Sequence, residues 1–317
     1  MEIEENKNGF LRFVHALKRD LRQIRRYPLI HLLLLPGLAF FVIFRYGPMW
    51  GVLMAFQDFN PFFGMRNSEW VGLEHFARFF SNPSFFMLLR NTFMLSFYNL
   101  ILFFPIPIIL ALMLNDVGKT GFRRAIQSII YLPNFISWVV VVGMVHVLFS
   151  QHGGIINQII LHFGGTELDL LVNPNTFRLF YTAQVIWKEA GWGTIIFLAA
   201  LSGVDQEMYE AAYIDGASRL QRMWFITLPS IRSTIVLLLI LRMGNFLDTG
   251  FEHLFLLTNP MTRSVAEVFD TYVYFSGIVA ANFSYSTAVG LFKSLVGLVL
   301  VLSADRIAKK FGEDGVY

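Results

Sequence analysis

Apolar stretches of roughly 20 residues recur along this chain, and they constrain its fold more than any other feature. A helix of about that length crosses some 30 Å of hydrocarbon, and lipid tolerates only backbone that satisfies its own hydrogen bonds. Six stretches qualify, at about 29–54, 87–114, 125–149, 177–201, 233–256 and 285–304. The composition agrees, with 55% hydrophobic and only 15% charged residues, where soluble domains carry about a quarter charged. The apolar run after the charged residues 1–28 is too long for a secretory signal. With no cysteine in the chain, disulfides, thiolate catalysis and cysteine metal sites are excluded. The expected fold class is an all-α integral membrane protein with six transmembrane helices.

Charge orients the spans. Placing residues 1–28, 115–124, 202–232 and 305–317 on one side collects 16 of the 25 Lys and Arg there. Arg66, Arg78, Arg90, Arg178 and Arg263 fall to the other side, and four more cations lie within spans. The bias predicts both termini in the cytoplasm. The expected organisation is an N-terminal segment 1–28, a membrane domain 29–306 and a cytoplasmic tail 307–317. Outer segments fall at about 55–86, 150–176 and 257–284. Between Phe10 and Ile24 apolar residues recur at helical spacing, so this segment reads as an amphipathic helix, either a basic cytoplasmic flank or one lying in the membrane interface.

Several spans carry irregularities. Arg45-Tyr46-Gly47-Pro48 interrupts the first, Pro105 and Pro107 kink the second, and Pro133 lies in the third. The fourth holds Lys188, Glu189 and Trp192. In the fifth, Arg242, Asn245, Thr249 and Glu252 are spaced 3, 4 and 3, so they share one helical face, and Asp248 and Glu252 are one turn apart. Charges at such depth face the bundle interior or a water-filled cavity. They line the path of a polar solute or pair internally to fix helix packing.

Enzymatic chemistry is hard to find. Gly118-Lys119-Thr120 imitates the tail of a phosphate-binding loop, but position 113 is Met where that motif needs glycine. The chain therefore has no visible means of binding ATP. The seven histidines lack metal-ligand spacing, and neither a nucleophile elbow nor a carboxylate pair stands out.

The longest polar interruption in the second half is 202–232, where Asp205, Glu207, Glu210, Asp215, Arg219 and Arg222 gather. It reads as two short helices around Gly216, the first capped by Asp205. A charged helix–turn–helix tied to the membrane at both ends suits a surface offered to a soluble partner.

Glu210-Ala211-Ala212, three residues, Gly216, nine residues, then Ile226-x-Leu228-Pro229 resembles the EAA motif of permease subunits in bacterial ABC importers. Asp58-Phe59-Asn60-Pro61, Tyr131-Leu132-Pro133 and Ile186-Trp187-Lys188 look like the sugar-importer branch. Gly250-Phe251-Glu252 and Asp270-Thr271-Tyr272-Val273-Tyr274 resemble its LplB-like subgroup, which includes the permeases of the alginate importer. The resemblance implies a type I importer half-channel of MetI-like fold in the bacterial cytoplasmic (inner) membrane. Its implied partners are a second related permease, two copies of a cytoplasmic ATPase that holds ATP and Mg, and an extracytoplasmic solute-binding protein delivering an oligosaccharide. No cofactor on this chain and no nucleic acid are expected. Glu210, Ala211, Ala212, Asp215, Gly216, Leu228 and Pro229 would form the coupling element set in a cleft of the ATPase. The family supplies no substrate residues by motif, so Lys188, Trp192, Arg242, Asn245, Thr249 and Glu252 stand on the placement of polar groups alone. The rival reading, an ion- or proton-coupled secondary transporter using Asp248, Glu252, Lys188 and Arg242, leaves the loop unexplained and lacks an inverted repeat.

Overall fold

The structure, a computed structural model, describes residues 26–118 and 120–312. The expected amphipathic helix between Phe10 and Ile24, Lys119 and the end of the tail lie outside the described residues. The chain divides into two compact units, Met1–Met54 and Ala55–Tyr317.

In the first unit, α1 (Pro28–Phe41) carries a proline in its opening turn, where the missing N–H costs nothing. The path continues through a wide turn at Val42–Tyr46 and a tight helical stretch at Gly47–Phe56. Arg45-Tyr46-Gly47-Pro48 therefore changes the winding without ending the helical path. Proline has no N–H to give an ordinary helical bond, and the wide turn ends where Gly47 N–H reaches back to the Val42 carbonyl. Leu29, Leu33, Phe44 and Trp50 are exposed, as suits a span whose outer face meets hydrocarbon.

The second unit opens on an antiparallel pair, β1 (Gln57–Asp58) with β2 (Glu69–Trp70), Gln57 opposite Trp70. A short helix, α2 (Glu74–Phe80), follows. His75 Nε2 lies 3.1 Å from the Gln57 carbonyl, and Phe79 is fully buried in an aromatic cluster with Phe85, Phe269 and Phe292. The second span is α3 (Phe85–Tyr98), a wide turn at Asn99–Phe103 and α4 (Pro105–Asn115). Here the expected proline kink takes the form of a π-type turn, with Phe104 N–H donating to the Asn99 carbonyl at 3.2 Å.

The third span departs from expectation. It is a pair, α5 (Thr120–Tyr131) extended by a tight turn at Leu132–Phe135, and α6 (Trp138–Phe149), bent by 99° at the break between Phe135 and Trp138. Pro133 sits in that tight turn, and Ser137 restarts the helix as its N-cap, accepting from Val140 N–H at 3.4 Å. A short helix α7 (Ile155–His162) follows.

The fourth span, α8 (Pro174–Ser202), runs unbroken for 29 residues. Phe177, Tyr181, Gln184, Lys188, Gly191, Thr194, Leu198 and Leu201 are buried on it, spaced by three or four, so they form one stripe. Gly191 is dictated by packing: a Cβ there would lie 1.9 Å from the Ile130 carbonyl oxygen at the end of α5. The polar loop holds α9 (Gln206–Ile214) and α10 (Arg219–Arg222).

The fifth span is also broken. α11 (Arg232–Gly244) stops, residues 245–250 are irregular, and α12 (Phe251–Leu257) resumes after Gly250. Short helices α13 (Arg263–Ala266) and α14 (Phe269–Val273) lead to the last span, α15 (Phe283–Lys310), which is longer than the expected 285–304. Among the described residues four helical paths are long and apolar enough to cross a membrane. Counting the bent pairs 120–135 with 138–149 and 219–230 with 232–244 as spans brings the number to six.

The core has three parts. Leu95, Val141, Phe177, Tyr181 and Leu254 join α3, α6, α8 and α12. Ala111, Leu114, Phe197, Leu201 and Ile231 join α4 and α8 near the polar loop. Phe79, Leu88, Phe269, Tyr285 and Val289 fill the third. A buried polar knot fixes the segment after α12: Asn91 donates to the carbonyls of Ser264 and Glu267 at 3.0 and 3.1 Å and accepts from Arg178 at 2.9 Å. Beside it Arg263 pairs with Glu267 at 2.8 Å, and this hydrogen bond raises the guanidinium pKa further above its ordinary value.

Gly191→Ala should push α8 off α5. The expected cost is about 1–3 kcal/mol, typical of an overpacked core, read as a lower thermal unfolding midpoint of the detergent-purified protein. An unchanged midpoint would contradict the close backbone contact.

Candidate functional site

The polar loop is a rigid, doubly capped hairpin of helices. Asp205 Oδ1 accepts from Glu207 N–H at 2.9 Å, capping α9. At the far end Gly216 adopts φ +76°, a left-handed conformation that side chains resist. Gly216 N–H donates to the Tyr213 carbonyl at 3.1 Å and Ala217 N–H to that of Ala212 at 2.9 Å. These are the paired bonds of a Schellman stop. Ser218 then starts α10 with a reciprocal capping box, donating its N–H to Gln221 Oε1 at 2.8 Å and accepting from Gln221 N–H at 3.4 Å. The Ser-x-x-Gln spacing made that box readable in the sequence.

Two contacts outside the motif hold the hairpin. The Tyr209 hydroxyl lies 2.9 Å from Thr227 Oγ1, joining its two arms. Arg219 pairs with Asp116 at 3.2 Å, just beyond the end of α4. Neither pairing is deducible from spacing, since 18 and 103 residues separate the partners.

The structure brings the motif residues together on this element. Glu210, Ala211, Asp215 and Gly216 are exposed, and Ala212 is half-buried. Tyr213 and Ile214 beside them are 72% and 83% exposed, so apolar side chains as well as charges are presented. After the wide turn Met223–Thr227, half-buried Leu228 and exposed Pro229 belong to a single turn, Leu228–Ser230. The path then bends by 59° into α11. α8 ends three residues before the hairpin's cap and α11 begins two residues after Ser230, so the hairpin is covalently continuous with two membrane helices.

The expected polar face of the fifth span is corrected. Arg242, Asn245, Thr249 and Glu252 cannot share a helical face, because the helix ends at Gly244 and restarts at Phe251. The cause is local: Asn245, Asp248 and Gly250 favour turns and caps over helix interiors. Arg242 lies over the Phe103 ring at 5.1 Å. Asn245 is exposed, Thr249 is buried and Glu252 is exposed at the start of α12. Asp248 and Glu252 are likewise not one helical turn apart.

What these residues do instead is support the breaks. Lys188 is buried, donates to the Asn134 carbonyl at 3.0 Å in the α5–α6 break, and lies over the Trp138 ring at 5.1 Å. The Tyr181 hydroxyl donates to the Thr249 carbonyl in the α11–α12 break. Gln184 Oε1 is 3.0 Å from His253 Nε2. The His253 ring stacks between Trp138 at 3.8 Å and Tyr181 at 4.4 Å. Trp192 is half exposed and meets Phe135 edge-on at 5.8 Å.

Sequence reasoning also missed Lys293. On α15 it contacts both Asp248, in the break, and Asp270, on α14. Lys293 and Asp248, with Asn245 and Ser294, border a cavity of about 450 Å³ between α11 and α15. A cation alone in the last span was the available signal, but its partners lie 23 and 45 residues away. Among the described residues no cluster of His, Asp and Glu could hold a metal ion.

Residues 103–313 match the family described as "Binding-protein-dependent transport system inner membrane component". The polygalacturonan/rhamnogalacturonan transport system permease protein YteP of Bacillus subtilis is 54% identical over 300 residues, covering 95% of this chain and 94% of that protein. Protein LplB of the same organism is 54% identical over 302 residues, covering 95% and 93%. Among solved structures, a chain of the bacterial alginate ABC transporter, crystallised with an alginate pentasaccharide-bound periplasmic protein, is 39% identical. Its TM-score is 0.85, over 93% of this chain and 99% of that one. The chain belongs to the family of binding-protein-dependent transport system inner membrane components: it is a permease subunit of an ABC importer for sugars or oligosaccharides, and not itself an enzyme.

Proposed function

We propose that this permease forms half of the translocation path for an acidic oligosaccharide and is driven through the hairpin at 205–230 by ATP hydrolysis on a separate subunit. The observation that carries the coupling role is the hairpin's construction. Asp205 caps one end of α9, the Gly216 stop fixes the other, and Tyr209–Thr227 closes the base. Such an element moves as a body, and the exposed Glu210, Ala211, Asp215, Tyr213 and Ile214 give a partner both charge and apolar surface. In this reading the hairpin and both termini face the cytoplasm, where the basic bias puts them. A second permease completes the path, two ATPase subunits carry the ATP and Mg, and an extracytoplasmic binding protein delivers the solute.

The acidic character of the cargo rests on the relatives. One is named for polygalacturonan and rhamnogalacturonan transport, and the structural neighbour works with an alginate-bound protein; both involve uronates. The cations near the breaks constrain where a uronate could bind. Lys188 is committed to a backbone carbonyl and Lys293 to two carboxylates, which leaves Arg242, over an aromatic ring, as the expected point of uronate contact. Trp192, Asn245, Thr249 and Glu252 stay as candidates for the solute path. Ion- or proton-coupled secondary transport would leave the hairpin without a task.

Two outcomes are expected in proteoliposomes of the assembled transporter. Gly216→Pro removes the left-handed turn and one hydrogen bond of the stop, and Glu210→Lys reverses an exposed charge. Each should lower uptake about tenfold or more, equivalent to ~1.4 kcal/mol of lost coupling, while ATP hydrolysis and membrane insertion persist. Wild-type coupling in both variants would count against the hairpin's role. Separately, binding protein loaded with oligogalacturonate should stimulate ATP hydrolysis, and a neutral gluco-oligosaccharide should not. Equal stimulation by the two would rule out an acidic preference.

A further inference from the structure

A cleft of about 870 Å³ opens between α4 and the hairpin; Leu228 of the motif borders it, and the solute-path candidates do not. One wall is α4, where Ile109 and Met113 are 47% and 63% exposed; the facing wall carries Trp224, 61% exposed. Arg123, Arg219 and Arg222 border the same cleft. Asp116, also in the lining, engages Arg219 at 3.2 Å. Arg123 and Arg222 have no carboxylate partner among the described residues, and Arg222 lies over the Tyr213 ring at 5.8 Å. The cleft thus combines apolar walls with a charged border of net +2, counting the three arginines against Asp116.

We propose that this cleft binds an anionic phospholipid from the leaflet on the hairpin side of the membrane. Neither half of the site is well served by a simpler occupant. Water would leave Ile109, Met113 and Trp224 wetted, and a small soluble anion would meet only the arginines. A molecule with an acyl chain below a phosphate answers both. The change from Leu112-Met113-Leu114 to Asn115-Asp116 at the end of α4 puts the arginines at headgroup depth, where basic pockets between membrane helices recruit anionic lipids. The planar guanidinium suits phosphate, and an indole such as that of Trp224 suits the interface. The volume lies within the roughly 300–1,000 Å³ of ordinary ligand sites. The lipid would wedge between the hairpin and the end of the second span. The proposal needs only that α4 crosses the bilayer, so its failure would leave the coupling role of Glu210 and Gly216 untouched.

The test uses the assembled transporter in nanodiscs and the fluorescence of Trp224, isolated as the difference between wild type and Trp224→Phe. Phosphatidylglycerol brominated on its acyl chains should quench this component at lower mole fraction than brominated phosphatidylcholine. Arg123→Gln and Arg222→Gln together should abolish the preference, each removing about fivefold in affinity. If the double variant does not assemble, Arg222→Gln alone should show the single fivefold loss. Equal quenching by the two lipids would reduce the cleft to ordinary lipid contact and overturn the proposal. So would an absence of Trp224 quenching, which would mean that another subunit fills the cleft. Displacement of the lipid by free glycerol phosphate at equal concentration would assign the site to a soluble phosphate and also overturn it.

Discussion

Within hydrocarbon, each backbone group freed by a broken helix has to find a partner inside the protein, and one helix supplies a partner to both broken spans here. The stripe Tyr181, Gln184 and Lys188 on α8 faces both broken spans. Lys188 takes the Asn134 carbonyl in the third span, Tyr181 takes the Thr249 carbonyl in the fifth, and Gln184 holds His253 just beyond it. The stacked Trp138, His253 and Tyr181 rings lock α6, α12 and α8 into one block. Without those side chains the breaks would expose unpaired polar groups, each costing about 1–3 kcal/mol even by mutational measures. The straight fourth span thus makes the two bent ones possible.

That same helix leads into the hairpin. α8 ends at Ser202, the cap of α9 follows at Asp205, and α11 leaves the loop at Arg232. A push on α9 is delivered at one end to the helix that braces both breaks, and at the other to the helix that ends in one of them. The fifth-span break is held on its far side by Asp248 against Lys293 on α15. The hairpin, the breaks and the last span form one connected frame.

The sequence revealed the parts whose information is local. Asp205 as a cap and Gly216 as a left-handed turn follow from residue chemistry within a few positions, and the structure has both. Membrane spans of sufficient length were legible for the same reason. The polar residues of the fourth and fifth spans were noticed but misarranged. Counting 3, 4 and 3 assumes an unbroken helix, and the turn-forming Asn245, Asp248 and Gly250 defeat that assumption. Pro133 was visible, yet the Lys188 that takes the Asn134 carbonyl beside the bend lies 54 residues away. Lys293 and its two carboxylates lie beyond any local pattern, because three different elements bring them together.

The central claim is that Glu210 to Gly216 is the joint through which another chain's ATP hydrolysis moves this one. The chain has no cysteine, so a single one at Ile214, 83% exposed beside the motif, reports its contacts without background. Paired with single cysteines scanned through the ATPase surface in the assembled transporter, it should form a disulfide at one cleft, with a yield that changes between nucleotide-free and ATP-bound states. No crosslink at any position, or one indifferent to nucleotide, would contradict the account.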